Sequence, residues 1–177
     1  MSGVWVFVEN HDGQINTIAR EAIGAARMVA DELGEDLTGL VFGEGVGDVA
    51  DDAFDLGCDE VIGADDATLK DGRVEAVGPL VVEVAQEHEP SVIIAGASAR
   101  GRDLTSWVAA DLDAGLVSDC IALEVDGETI KVTRPVYAGK LLSKVFITEG
   151  TQVISLRGRA FAQAESSGGS GTTDWVD

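Results

Sequence analysis

The sequence predicts an α/β domain with a mainly parallel sheet, helices on both of its faces, and an extension of antiparallel strands near the C-terminal end. Two observations carry this prediction. Up to residue 112, apolar β-branched runs alternate with segments whose apolar residues recur at helical spacing, which is the pattern of successive βα units. From about Cys120, short strand-like runs follow one another without helices between them.

Four βα units make up the first part of the chain. The run "GVWVFVE" is rich in β-branched and aromatic residues, and apolar residues at positions 15, 18, 19, 22, 23, 26, 29 and 33 then predict a helix that Gly34 ends. The runs "LTGLVFG", "EVIGA" and "SVIIAGA" predict three more strands, followed by helices around residues 48–56, 74–88 and 103–112. Because these strands are apolar almost throughout, we expect a buried parallel sheet with right-handed crossovers.

The last part of the chain predicts four further strands and a tail. The strands are "CIALEVD", "TIKVTRPVY", "LLSKVFI" and "TQVISLR". Since "DGE" between the first two favours a tight turn, we expect an antiparallel extension or edge hairpins. The final "AESSGGSGTTDWVD" is rich in Gly, Ser and Thr, which is typical of flexible segments. We therefore expect one domain over residues 1–162 and a flexible linker or tail over residues 163–177.

Acidic residues dominate the charged surface. Twelve Lys and Arg against 32 Asp and Glu give a net charge of −20, while the hydrophobic fraction of 45% is enough for a core. Such a surface is typical of halophilic proteins, because salt screens the self-repulsion, and it opposes binding to nucleic acid or anionic lipid. No apolar run approaches the roughly 20 residues that span a bilayer, and no signal peptide is evident. We expect a cytoplasmic protein in which Cys58 and Cys120 are reduced.

Basic residues concentrate in the strand-rich part of the chain. Residues 131–159 contain six basic residues and one acid, whereas residues 1–128 contain six basic residues and 28 acids. One interpretation is that lysines on exposed strand edges discourage aggregation. The other is a face complementary to a partner or to another domain, for which Arg134, Lys140 and Lys144 are candidate interface residues.

A small-residue loop with two arginines follows the fourth strand. The sequence "GASARGRDL" lacks the glycine fingerprint of a dinucleotide site and the Lys of a P-loop, so a structural turn is favoured over a phosphate cradle. We expect Asp103 to cap the next helix and Ser98 to bond the amides of the turn. The earlier "NHDGQINT" is likewise interpreted as a turn and a helix cap, through Asn10, Asp12 or Asn16.

The sequence predicts no catalytic or metal-binding group. His11 and His88 lie in unrelated acidic turns, where we expect both to be solvated, and neither has a metal-like spacing to a cysteine. No G-x-S-x-G motif occurs, and the acidic residues are too numerous for any catalytic pair to be singled out. We therefore expect neither an enzyme nor a metal site.

Four segments of the second half of the chain resemble one known family. In order they are "SVIIAGASARGRDL", "VAADLDAGLVSDC", "RPVYAGKLLSKV" and "VISLRGRAF". Their order and spacing resemble the N-terminal domain of the electron transfer flavoprotein alpha subunit, and the resemblance extends from about residue 4 to residue 161. The matching positions include Gly101, Arg102, Asp103, Gly115, Leu116, Asp119, Arg134, Pro135 and Gly139.

The resemblance implies a Rossmann-like three-layer domain that pairs with a beta subunit in a heterodimer. In the family, FAD is held mainly by the C-terminal domain of the alpha subunit, and the flavin signature of that domain is not found in these 177 residues. We therefore expect the N-terminal domain alone, with no FAD bound by this chain and no flavin-binding residue assigned. In the intact family protein, the flavin carries electrons from flavin dehydrogenases toward a membrane quinone oxidoreductase.

The sequence departs from the family directly after "GRDL". Relatives continue with a proline and an arginine, whereas this chain has Thr105, Ser106 and Trp107. We expect Trp107 to bury apolar surface against a neighbouring element. Arg100 and Arg102 are expected to orient the loop toward a domain or subunit neighbour, so these two residues and Trp107 are further interface candidates.

The alternative function is a stand-alone nucleotide-binding domain of the universal-stress type. AMP or ATP would then lie near Asn10 and the loop at residues 98–102. The incomplete phosphate cradle and the four-segment resemblance both count against this alternative.

Overall fold

A computed structural model of the chain describes residues 3–176. Four α-helices lie within these residues: α1 (Thr17–Leu33), α2 (Gly47–Asp55), α3 (Val74–His88) and α4 (Ala99–Asp111), with a 3₁₀ turn at Ala67–Leu69. The strands in chain order are β1 (Val4–Phe7), β2 (Asn10–His11), β3 (Gln14–Ile15), β4 (Leu37–Gly43), β5 (Glu60–Asp65), β6 (Val92–Gly96), β7 (Gly115–Cys120), β8 (Ala122–Asp126), β9 (Thr129–Val136), β10 (Leu141–Val145), β11 (Gln152–Leu156) and β12 (Asp174–Trp175). None of the described helices is both long enough and apolar enough to cross a membrane.

Seven strands form one parallel sheet in the order β12-β5-β4-β1-β6-β11-β7. β1 lies in the middle of this sheet, with β4 on one side and β6 on the other. The strand order reverses at this point, and the carboxyl ends of such strands form the crevice where α/β sheets commonly bind ligands. The predicted mainly parallel α/β fold is confirmed.

Alternate residues of β1 face two separate cores. Val4 and Val6 pack with residues of α1 and α2, whereas Trp5 and Phe7 pack with residues of α3 and α4. Successive side chains of a strand point to opposite faces of the sheet, so burial on both faces requires a strand that is apolar throughout. The domain therefore has three layers, with the sheet between two pairs of helices.

One of the four C-terminal strands does not belong to the antiparallel extension. β8, β9 and β10 form a three-stranded antiparallel sheet, but β11 lies between β6 and β7 and is parallel to both. The prediction for this strand is therefore wrong. Val153, Ile154 and Leu156 are buried, as a central parallel strand requires. The antiparallel strands are thus an insertion between two strands of the parallel sheet.

The segment "NHDGQINT" forms a small hairpin before the first long helix. Asp12 and Gly13 have positive φ values of 50° and 72° in the two-residue turn between β2 and β3, which is the geometry that Asp-Gly favours. The expected turn is confirmed. Asn16 precedes α1, but its side chain makes no capping hydrogen bond.

The C-terminal segment beyond residue 162 packs along the domain, which its composition did not predict. The backbone N–H of Ala164 donates to the carbonyl of Arg20 (2.9 Å) in α1, and that of Ser167 donates to the carbonyl of Asp55 (2.6 Å) in α2. The segment ends in β12, which pairs with β5 at the edge of the sheet. The same small residues that predict flexibility also allow the backbone to approach other elements closely. The domain boundary at residue 162 stays a prediction, and Asp177 lies outside the described residues.

Candidate interaction surface

Ser98 closes the first turn of α4. Its Oγ accepts a hydrogen bond from the Gly101 N–H (2.9 Å) and donates to Oε2 of Glu9 (2.6 Å), a buried carboxylate just beyond β1. The predicted bond from Ser98 to the turn amides is confirmed. The prediction that Asp103 caps the helix is wrong, because α4 begins four residues earlier, at Ala99, and Ser98 has the extended backbone of a cap.

Gly101 brings α4 into direct contact with the end of β6. A Cβ at this position would lie 1.9 Å from the carbonyl oxygen of Gly96, so no side chain fits. Close packing of a helix on the preceding strand is one of the known roles of glycine in such loops. The shape of the loop is therefore explained by contacts within the domain.

A carboxylate of the chain also binds the two residues that precede α2. Oδ1 of Asp65, the last residue of β5, accepts from the Gly45 N–H (2.7 Å), and Oδ2 accepts from the Val46 N–H (3.3 Å). Helix N-termini attract anions because their first N–H groups are free and the helix dipole is positive there. Asp65 thus places a carboxylate directly before α2, and Ser98, bonded to Glu9, accepts from one N–H of α4, so each N-terminus already has a carboxylate of the chain beside it.

A cavity of about 340 Å³ lies at the carboxyl ends of β1 and β4. Arg100 lines it with its guanidinium over Gly72, where a Cβ would be 2.8 Å from Nη1. Lys70 and Glu44, also in the lining, form an ion pair at 2.9 Å. The Asn10 amide donates to two backbone carbonyls, at 3.2 Å each, and so holds β1 and β4 together at this end. Arg100 therefore faces this cavity. Its expected role at a domain or subunit interface stays a prediction.

A group of arginines surrounds Asp119 at the carboxyl ends of β7 and β11. Arg157 donates from Nε to Oδ1 of Asp119 (3.0 Å) and from Nη2 to Oδ2. This hydrogen bonding lowers the pKa of Asp119, and the charges of Arg157, Arg102 and Arg134 lower it further. Arg102 of α4 and Arg134 of β9, which are 32 positions apart in the sequence, thus both lie close enough to Asp119 for their charges to act on it.

The turn of the β9–β10 hairpin, β10 and the residue after it carry the most exposed large apolar side chains of the described residues. Tyr137 is 77% exposed, Leu142 64%, Leu141 57% and Phe146 56%. The predicted interface residue Lys140 is exposed beside them, whereas Lys144 forms an ion pair with Glu124 of β8 at 2.9 Å. We refer to Tyr137, Leu141, Leu142 and Phe146 as the hairpin patch.

Sequence reasoning missed the hairpin patch, although a signal was present. Leu141 and Leu142 are adjacent, so an edge strand that contains both must present apolar side chains on each of its faces. In the structure β10 pairs with β9 alone, at the edge of the small sheet, and both side chains stay exposed.

Trp107 lies against α3. A Cβ on Gly78 of that helix would be 2.9 Å from Cδ1 of the indole, and 37% of Trp107 stays exposed. The neighbouring element that the sequence predicted for Trp107 is therefore within the domain. Its role at an interface with another protein stays a prediction.

The histidines and cysteines do not form a reactive group. His11 is exposed, but His88 is half-buried, with its ring centroid 6.0 Å from that of Trp5, so the expectation that His88 is solvated is wrong. Cys58 and Cys120 are buried, and burial raises the pKa of both thiols to about 12, which keeps them protonated. In the part of the chain that the structure describes, no group of three or more His, Cys, Asp or Glu residues could hold a metal ion.

Comparisons with known proteins place the chain in one family. Residues 4–176 match the family described as "Electron transfer flavoprotein domain". The "Protein FixB" of Clostridium saccharobutylicum is 35% identical over 169 residues, which are 94% of this chain and 50% of that protein. The "Electron transfer flavoprotein subunit alpha" of Bacillus subtilis is 34% identical over 146 residues, which are 82% of this chain and 44% of that protein. The corresponding subunit of Clostridium acetobutylicum is 31% identical over 149 residues, 83% of this chain and 44% of that protein.

The chain spans about half the length of these curated relatives. Because the match covers nearly every residue that the structure describes, it includes the parallel sheet, the hairpin insertion and the C-terminal segment. The chain belongs to the electron transfer flavoprotein domain family.

Proposed function

We propose that this chain is the N-terminal scaffold domain of an electron transfer flavoprotein alpha subunit and that it pairs with a beta subunit. The observation that carries the proposal is the hairpin patch. Monomeric soluble proteins rarely expose clustered large apolar side chains, and such patches commonly mark protein interfaces. Here four of them project from one hairpin of a chain whose net charge is −20.

The basic residues near the hairpin patch also support its assignment as the surface that binds the beta subunit. Lys140 lies in the turn between β9 and β10, and Arg134 lies on β9 opposite Ser143 of β10. Apolar residues surrounded by positive charge would complement a partner with an apolar patch and an acidic rim. Lys144, which Glu124 already neutralises, contributes less charge to this surface than Lys140.

The helix N-termini at the carboxyl edge of the sheet do not fit the pyrophosphate of a flavin dinucleotide. Ser98 accepts from an N–H of α4 and donates to Glu9, and Asp65 binds the amides directly before α2. A bound pyrophosphate would have to displace these groups or lie beside their negative charge. No electron-transfer step is therefore assigned to residues of this chain, and we place the FAD of the intact heterodimer mainly in the C-terminal domain of the alpha subunit.

The intact heterodimer would act as an electron carrier rather than as an enzyme. In this proposal it takes electrons from flavin dehydrogenases and passes them to a quinone oxidoreductase, and it works in the cytoplasm. The domain described here contributes docking and orientation. The alternative of a stand-alone nucleotide-binding domain has less support, because the relatives are named as alpha subunits and the two helix N-termini carry acceptors of their own.

The pairing can be tested with one substitution on the hairpin patch and one matched control. We expect Leu142→Asp to weaken association with the beta subunit by at least about tenfold, because a central apolar contact would be replaced by a charge. Met28→Asp is the control, since Met28 is a 40% exposed apolar residue on α1, far along the chain from the hairpin. Association is measured by light scattering after size-exclusion chromatography and by titration of the two purified subunits.

Two results would contradict this assignment. The first is that the wild-type chain does not associate with the beta subunit at all, which would contradict the proposed pairing. The second is equal affinity for wild type, Leu142→Asp and Met28→Asp, which would place the interface elsewhere on the domain.

A further inference from the structure

Two of the arginines around Asp119 lack a partner. Nε of Arg134 is buried and makes no hydrogen bond, and Arg102 is exposed and forms no ion pair with any residue between 3 and 176. A buried donor without an acceptor costs free energy, so native structures nearly always supply one from the protein, a solvent molecule or a ligand. The Asp119 carboxylate accepts from Arg157 through both of its oxygens and makes no hydrogen bond to Nε of Arg134.

The backbone around Asp119 is held in an uncommon conformation. Asp119 has a φ of 62° at a β-bulge where β7 slips in register against β11. Its N–H donates to Oγ of Ser155 at 3.2 Å, and Ser155 is fully buried. Bulges and left-handed non-glycine residues are over-represented beside binding sites, where they direct side chains that regular strands could not direct.

The charges do not cancel within this group. Arg102, Arg134 and Arg157 act on a single carboxylate, which leaves two positive charges in a chain of net charge −20. The side chain of Asp119 is 32% exposed and that of Arg157 45%, so a solute can reach the group. It lies at the carboxyl ends of β7 and β11, on the same side of the sheet as the crevice at β1 but away from it.

We propose that Arg102, Asp119, Arg134 and Arg157, here named the Asp119 cluster, bind the phosphate group of a small molecule, either inorganic phosphate or a phosphate monoester. Two excess positive charges match a dianion better than a monoanion. Guanidinium groups also present pairs of N–H donors that match the oxygens of phosphate. A phosphate would also give the exposed Arg102 an anionic partner.

The charge of the ligand provides a direct test. The chain is titrated with inorganic phosphate, AMP, adenosine and sulfate at low ionic strength, at pH 8 and at pH 5, by calorimetry and by NMR of the backbone amides. We expect saturable binding of one phosphate per chain, at least about tenfold weaker at pH 5. A phosphate monoester changes from a dianion to a monoanion at about pH 6, and inorganic phosphate is also a monoanion at pH 5. Sulfate remains a dianion, so its affinity should change by less than about twofold.

The source of the phosphate is distinguished by the same titrations. Equal affinities for inorganic phosphate and AMP indicate a site for the phosphate group alone, and tighter binding of AMP indicates an ester whose organic part also contacts the protein. Either result supports the proposal. Binding of adenosine as tightly as AMP would overturn it, because the phosphate would then contribute nothing.

Substitutions locate the site within the cluster. We expect Arg102→Gln and Arg134→Gln each to weaken phosphate binding by at least about tenfold, as loss of a charged hydrogen bond does. Arg73→Gln is the matched control, because it removes the same charge from an exposed arginine before α3. Asp119→Asn should tighten binding several-fold, since it removes the competing carboxylate and asparagine tolerates the positive φ.

The phosphate titrations use this chain alone. Their failure would therefore be distinguishable from a failure of the proposed pairing with the beta subunit. Arg102 is exposed, so its variant tests the site even if Arg134→Gln does not fold. The proposal is overturned if the wild-type chain shows no saturable binding of phosphate or AMP at millimolar concentration. Equal losses of affinity in Arg102→Gln and Arg73→Gln would also overturn it, because only the general charge of the chain would then matter.

Discussion

Helix α4 packs so closely on the end of β6 that Gly101 has no room for a side chain. The same turn holds Ser98 between the Gly101 N–H and the buried carboxylate of Glu9. Ser98 and Gly101 therefore both have structural partners inside the domain. The two arginines of the loop lie at different sites: Arg100 lies over the cavity at Gly72, and Arg102 lies near Asp119.

A substitution at Gly101 tests this packing. We expect Gly101→Ala to lower the free energy of unfolding by about 2–3 kcal/mol, because the added methyl overlaps the carbonyl of Gly96 and the helix must shift. Chemical denaturation of both proteins measures the difference. Gly47→Ala is the control: nothing lies within 4 Å of its Cβ position in α2, so it should be neutral or slightly stabilising. A Gly101→Ala variant as stable as wild type would show that the contact is not tight.

At the scale of elements, the segment beyond residue 162 is the largest departure from expectation. It crosses α1 where Gly24 leaves room for the carbonyl of Ala162, and it then reaches the end of α2. There Asp55 accepts hydrogen bonds from the Ser166 hydroxyl (2.8 Å) and the Gly168 N–H (2.9 Å) through the same side-chain oxygen. The segment finally covers the outer edge of β5, which would otherwise expose unpaired backbone groups.

Removal of residues 163–177 should therefore destabilise the domain. We expect the free energy of unfolding to fall by about 2–5 kcal/mol, since several hydrogen bonds are lost and each contributes about 0.5–1.5 kcal/mol. The uncovered edge of β5 should also promote association between copies of the chain, which size-exclusion chromatography at several concentrations detects.

Two substitutions in α2 test how much the contacts of Asp55 contribute to this stability. Asp55→Ala should cost about 1–2 kcal/mol, because the acceptor for Ser166 and Gly168 is removed. Asp51→Ala removes the same charge from an exposed position of the same helix and should have little effect. If the truncated chain and both variants were as stable as wild type, the segment would be a free tail, as its composition suggests.

At the scale of the whole molecule, electrostatic repulsion opposes the folded state. The net charge is −20, and most of the acids are in the first 128 residues, which form the parallel sheet up to β7 and the helices around it. Since ion pairs at the surface are few among the described residues, most of these carboxylates have no cation beside them. Salt is the remaining means of screening them.

The melting temperature should therefore rise as potassium chloride increases from low to molar concentration. The steepest part of the rise should lie below about 0.3 M, because the screening length falls from about 30 Å at 0.01 M to about 8 Å at 0.15 M. Thermal unfolding followed by circular dichroism measures this dependence. A melting temperature that is flat or falls over the titration would contradict it. A rise confined to concentrations above 1 M would indicate exclusion of salt from the surface instead of screening.

The local periodicity of the sequence determined the kinds of elements and much of their order. Apolar runs with strand character and helical spacing predicted β1, β4, β5, β6 and the helices after them, and residues 74–88 form α3 as predicted. These patterns are readable because each depends only on which side of one element is buried. The resemblance of four separated segments also determined the family, which the comparisons confirm.

Pairing between distant elements was decided only by the tertiary structure. β11 joins the parallel sheet between β6 and β7, and the segment after it covers β5, although nothing local distinguishes these partners from others. The Asp119 cluster likewise draws its side chains from α4, β7, β9 and the end of β11. A sequence specifies the burial pattern of each element through the side chains of that element. The order of the strands and the positions of charged side chains relative to one another depend on how all the elements pack together.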